Sequence, residues 1–165
     1  MKKLWIIIAI LAFPISAGNA YQSGRDFTGI INGMEIKELK HSSFSIENLE
    51  KYLQLTQAPD PDIMISQFIV ETGWFTSKSF LLGNNISGMK VPAKRITTSS
   101  GKIFGYAKYN HWTDSVDDFL LWLQYHGLSE GYVDHLRKRC YSQNDNYYSL
   151  IMKVNGEIGS SLSGR

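Results

Sequence analysis

Cysteine is all but missing from this chain of 165 residues. A single Cys140 excludes an internal disulfide and any Cys-rich zinc site. Histidine is scarce too. His41, His111, His126 and His135 fall in no HExxH or comparable ligand spacing, so neither a metal nor a cofactor is expected. Internal repeats and long linkers are lacking. With 43% apolar residues, the composition is that of one globular domain rather than a disordered chain.

The one long apolar run, Leu4 to Leu11, is too short to span a bilayer comfortably. Lys2 and Lys3 precede it, and Gly18 and Ala20 put small side chains at the minus-three and minus-one positions of a cleavage site. The pattern predicts a Sec signal peptide over residues 1–20, cut after Ala20, with no cysteine to attach a lipid. Cleavage removes two lysines and no acid, leaving fifteen basic and fifteen acidic residues. A neutral mature chain gives no reason to expect a nucleic-acid partner. The expected product is periplasmic or secreted, monomeric and without stable membrane insertion.

Residues 21–158 then read as one domain and residues 159–165 as a flexible Gly/Ser-rich tail. Residues 21–44 form an N-terminal arm, extended from Tyr21 to Lys40 because Gly24, Gly29 and Gly33 interrupt any period. Ser45 can cap a helix from Ile46 to Gln57. Asp60 and Pro61 suit the cap and first position of a second helix, which is apolar on most sides, hence central, and stops at Gly73. Lys78 to Lys90 reads as a loop or short helix. A β-hairpin is predicted over Arg95–Tyr109, turning at Ser99-Ser100-Gly101. A third clear helix runs from Ser115 to His126, capped by Thr113 or Asp114. Two weaker ones lie near Tyr132–Cys140 and Asn146–Val154. The fold class is mainly α, with one small hairpin lobe beside a buried helix.

Acid is the most telling shortage. Between Glu71 and Asp114 there is no Asp or Glu, while Lys78, Lys90, Lys94, Arg95, Lys102 and Lys108 all fall there. Glu71 itself shares the face of Met64 and Phe68 in the last turn of the central helix. Burial disfavours its charge, and so does the negative end of the helix dipole, so its pKa should rise. A carboxylic acid that keeps its proton near neutral pH suits protonation of a glycosidic oxygen. A structural Glu bonded to backbone or lysine would occupy the same position.

The surrounding residues narrow the choice. Gln67-Phe68-Ile69-Val70-Glu71-Thr72-Gly73-Trp74 is followed by Asn84-Asn85-Ile86-Ser87-Gly88-Met89-Lys90. Together these blocks resemble the glucosaminidase domain of bacterial autolysins, the family 73 glycoside hydrolases. Members read Gln-x-x-x-Glu-(Ser/Thr)-Gly-Trp and then Asn-Asn-(Leu/Ile)-Phe-Gly-(Met/Ile/Val)-Lys, so Ser87 departs from the usual Phe. The similarity continues through Tyr106-Ala107-Lys108-Tyr109-Asn110 and Asp114-Ser115-Val116, covering Ile63 to Leu150.

The resemblance implies a lysozyme-like α domain and an endo-β-N-acetylglucosaminidase acting on the glycan strands of peptidoglycan. It implies Glu71 as general acid and Tyr109 as an aromatic near it that orients water or the substrate acetamide. Trp74 would line the glycan cleft, Asn84, Asn85 and Gly88 would shape the loop beneath it, and Lys90 closes that motif, the five together being the expected substrate-binding residues. Many members carry a second carboxylate on the hairpin lobe, and here it is missing. The substrate's own 2-acetamido group could serve instead, or Asp114 or Asp117 could reach in, or catalysis could be lost. A lytic transglycosylase or muramidase, and a non-catalytic peptidoglycan-binding protein, are the rival readings.

Overall fold

A computed structural model describes residues 29–128, 131–139, 141–142, 144 and 146–163, with side chains through residue 159. The expected signal peptide, the first residues of the arm and Cys140 lie outside these. The chain divides into two units, residues 1–35 and 36–165. Residues 29–39 form helix α1, so this part of the arm is helical and not extended. Its glycines meet no neighbour a side chain would disturb, and the polar and apolar residues around them tolerate a helix despite the entropy glycine loses.

The second unit is mainly helical with one two-stranded antiparallel sheet, a lysozyme-like arrangement. Helix α2, Ile46–Leu55, starts where Ser45 accepts the backbone N–H of Asn48 at 3.1 Å. Helix α3, Pro61–Thr72, is the central one: Met64, Ile65, Phe68 and Ile69 are buried in the core. Each such side chain contributes roughly 1.5–3 kcal/mol of burial, so α3 is held by its surroundings more than by its own propensity. Asp60 precedes it in a left-handed conformation and makes no side-chain cap bond, contrary to the capping role expected. Pro61 does take the first position.

Helix α4, Lys78–Gly83, is capped by Ser77, whose hydroxyl accepts the N–H of Phe80. Strands β1, Gly101–Ile103, and β2, Tyr106–Lys108, pair with Ile103 opposite Tyr106. The hairpin therefore turns at Phe104-Gly105, not at Ser99-Ser100-Gly101. Both turn residues have positive φ, 51° and 83°, as a two-residue type I′ turn requires. Asn-Gly is the usual pair there, and a bulky Phe in that conformation costs roughly 1–2 kcal/mol. That unfavourable residue hid the turn from the sequence pattern. Gly83 packs against the hairpin near its turn, since a Cβ there would lie 2.6 Å from Cγ2 of Ile103.

Helix α5, Trp112–His126, begins earlier than expected. His111 is its cap and accepts the N–H of Thr113, while the Asp114 carboxylate accepts the N–H of His111. The imidazole took a place usually filled by Ser, Thr, Asp or Asn. Helix α6 is Tyr132–Lys138, and helix α7, Tyr147–Ser163, packs along α3. The Gly/Ser-rich stretch after Gly156 continues α7 as far as Ser163. Ile151 and Val154 are buried, and that packing outweighs the weak propensity of the glycines. Among the described residues no helix is long and apolar enough to cross a membrane.

Candidate active site

Helix α3 ends abruptly just after Glu71. Gly73, Trp74 and Phe75 follow one another in left-handed conformations, with φ of 56°, 58° and 60°. Three such residues in a row are rare, since all but glycine are strained there. The turn is tied down. The N–H of Trp74 donates to the carbonyl of Ile69 at 2.9 Å, that of Ser77 to Thr72 at 2.9 Å, and that of Phe75 to the Thr72 hydroxyl at 2.8 Å.

Two depressions flank the acid. The larger, about 800 Å³, is lined by Glu71, Gly88, Lys90, Arg95, Tyr106, Trp122, Arg139, Tyr141 and Tyr147, among others. The smaller, about 420 Å³, is lined by Glu71, Ser77, Lys78, Ser79, Gly88, Phe104 and Tyr106. Glu71, Gly88 and Tyr106 line both, so the two halves adjoin across the acid. Among the described residues Glu71 is the only carboxylate on either wall.

Burial raises the pKa of Glu71, and a hydrogen bond from the Tyr147 hydroxyl to its Oε1 works against that rise by favouring the carboxylate. No cation among the described residues pairs with it. Tyr147 begins α7 and stacks on Tyr141, whose hydroxyl donates to the carbonyl of Ser87 at 2.7 Å. Burial and the neighbouring Glu71 push the Tyr147 hydroxyl far above its ordinary pKa, so it stays a donor. Sequence reading missed it, since 76 residues separate it from Glu71. The only available sign was its place at the start of an apolar helix.

Gly88 faces the acid directly. Its φ is +66°, and a Cβ there would lie 2.6 Å from Glu71 Oε2. Only glycine lets this loop reach the carboxylate without strain. Lys90 is exposed on the wall of the larger cleft. Asn85 is buried beneath the loop: its amide donates to the carbonyls of Met89 and Ala107 at 2.9 and 2.8 Å and accepts the N–H of Met89. Asn84 caps α4 in a left-handed conformation and donates to the carbonyls of Tyr109 and Asn110. Both asparagines brace the loop and line neither cleft. Ser87, which stands where Phe was expected, is buried against Ser115.

Trp74 is 57% exposed but lines neither depression. Tyr109 is fully buried, and its hydroxyl donates to Asp118 at 2.8 Å instead of facing Glu71. Asp118 also receives two hydrogen bonds from Arg95, at 2.7 and 3.1 Å. Burial alone would raise the Asp118 pKa, but the bonds from Arg95, Thr97 and Tyr109 and the charge of Arg95 hold it below the usual carboxylate range. Arg95 is thereby held in the cleft wall with its charge already matched. Asp114 is engaged at the α5 cap, and Asp117 is held by Tyr52 at 2.7 Å and Lys40 at 3.0 Å. Neither lines the clefts beside Glu71.

Residues 46–159 match the family model described as "Glucosaminidase: Mannosyl-glycoprotein endo-beta-N-acetylglucosaminidase". Comparison with curated proteins and with solved structures gives no match.

Proposed function

Since the chain belongs to the glucosaminidase family of glycoside hydrolases, we propose that it is an exported endo-β-N-acetylglucosaminidase of peptidoglycan, cutting the β-1,4 bond after N-acetylglucosamine with Glu71 as general acid. One observation carries this reading. The sole described carboxylate on the walls is also the residue where the two cleft halves adjoin, so a strand lying through both would pass over it.

In the first step the Glu71 carboxyl gives its proton to the glycosidic oxygen as the bond to the anomeric carbon breaks. The 2-acetamido oxygen of the same sugar forms a bond to that carbon, giving an oxazolinium ion that keeps the amide N–H, and the leaving sugar departs as an alcohol. In the second step the Glu71 carboxylate takes a proton from a water that attacks the anomeric carbon and reopens the ring. The configuration is retained. The engagement of Asp114, Asp117 and Asp118 elsewhere favours substrate assistance over a second protein carboxylate. Tyr147 orients the acid and stabilises the carboxylate between the two steps.

Gly88 gives the acid room, and Lys90 supplies positive charge for acidic groups on the strand. Asn84 and Asn85 hold the loop. Tyr109 acts at a distance, through Asp118 and Arg95. Trp74 lies outside the cleft walls and would contact only a longer strand. The predicted leader places the enzyme in the periplasm or medium.

That no second acid lines the clefts among the described residues also suits a lytic transglycosylase, and products separate the two. Purified peptidoglycan is digested and the fragments analysed by mass spectrometry. N-acetylglucosamine at new reducing ends, absent with Glu71→Gln, is the expected result. Anhydromuramic ends would replace this reading with the transglycosylase. Binding without release of ends would replace it with a non-catalytic wall protein.

A further inference from the structure

The hairpin tip has a side chain its backbone does not favour. Phe104 sits at the first turn position with φ of 51°, where Asn or Gly would be relaxed. The ring is 59% exposed, so packing into the core does not offset the strain. It lines the smaller cleft together with Glu71, Lys78 and Tyr106. The hairpin beneath it is firmly seated. Ile103 abuts Gly83, the N–H of Tyr109 donates to the Gly83 carbonyl at 2.9 Å, and that of Ala107 donates to Met89 at 2.9 Å. A rigid base, a strained turn and an outward aromatic beside the acid form a built platform. Backbone strain that the fold does not require points to a use for the side chain that bears it.

We infer that Phe104 is a substrate-binding residue: its ring stacks on the apolar face of a hexosamine on the Ser77–Ser79 side of the cleaved bond. This rests on the glycosidase reading and adds to it a subsite and a residue. An aromatic face there contacts one pyranose ring, and Tyr106, shared by both halves, guides the strand from that ring to the acid.

The test uses Phe104→Asn and Phe104→Tyr. Asparagine suits the turn, so Phe104→Asn should raise Tm by about 3 °C while weakening binding. In the wild-type background KM for peptidoglycan should rise about fivefold, with kcat changed little, because stacking is shared by ground and transition states. In the Glu71→Gln background, sedimentation with insoluble peptidoglycan should show the same loss without hydrolysis. Phe104→Tyr should recover most of the binding and none of the stability gain. Unchanged binding in Phe104→Asn would overturn the inference, and so would a fall in Tm, which would mark the ring as a packing residue. The sedimentation arm also separates the two ideas. Lost binding in Phe104→Asn, Glu71→Gln together with a wild-type chain that releases no ends supports the subsite and removes the hydrolase reading, whereas active wild-type enzyme with normal Phe104→Asn, Glu71→Gln binding does the reverse.

Discussion

Replacing Gly88 with alanine adds one methyl group at the most crowded point of the site. That carbon would stand 2.6 Å from Glu71 Oε2 and 3.3 Å from its Cδ, where ordinary contact begins at 3.4 Å. The carboxylate must retreat by about 0.8 Å, and Tyr147 then loses its partner or follows it. The backbone adds a second cost, since φ of +66° disfavours alanine by roughly 1–2 kcal/mol. A destabilisation of that size lowers Tm by about 3–8 °C in a domain of this length. The rate suffers more. A catalytic group displaced by about 1 Å costs on the order of a hundredfold, so kcat should fall by about that factor and KM much less. Turbidity clearance of purified peptidoglycan measures the rate, with thermal unfolding by circular dichroism alongside. A Gly88→Ala enzyme with the expected drop in Tm but a kcat within a few fold of wild type would refute the placement of the acid argued here.

Other expectations concern charge. Glu71 holds its proton more tightly folded than unfolded, so the folded chain carries an extra proton just above the ordinary value of 4.5. Stability must fall as pH rises from there through the raised folded pKa. Glu71→Gln should abolish this loss, gaining on wild type above that window and matching it in acid, as unfolding midpoints at several pH values will show. Tyr147→Phe removes the hydrogen bond that lowers the Glu71 pKa, so the alkaline limb of the pH–rate profile should move upward; a limb that moves down or stays would contradict the assignment. Arg95→Ala leaves Asp118 buried without its cation and should cost about 3–5 kcal/mol in denaturant unfolding. Because Asp118 is depressed below 3.8, the stability it contributes is present above that value and lost as pH falls through the folded pKa, so the gap between wild type and Asp118→Asn should close in acid.

Local rules carried the sequence reading far. Ser45 and Gly73 punctuate helices as their chemistry predicts, and the apolar girth of residues 63–70 marks the buried helix. Glu71 stands out because a carboxylate there conflicts with its surroundings. The errors share a cause. At His111, Phe104 and the residues after Gly156 the local preference pointed elsewhere, and capping geometry, a strained turn or packing against α3 prevailed. The partners of Glu71 and Asp118 were invisible for another reason. Tyr147 and Arg95 are brought to them by the fold across 76 and 23 residues, and no spacing encodes that. Tyr109 resembles the aromatic that family members place near the acid, and the alternation continued just past β2 turns its ring inward onto Asp118.

The left-handed turn after α3 bears on how the acid is charged. Carbonyls of Ile69, Val70 and Thr72 already accept bonds from Gly73, Trp74, Thr76 and Ser77. The helix end is thus largely quenched, leaving dehydration as the cause that raises the Glu71 pKa. Dehydration is incomplete while the trough stands open to solvent. In the proposed mechanism a sugar chain settling over the carboxyl expels that remaining water and raises the Glu71 pKa further, so the ligand itself would strengthen the acid group that its own cleavage requires.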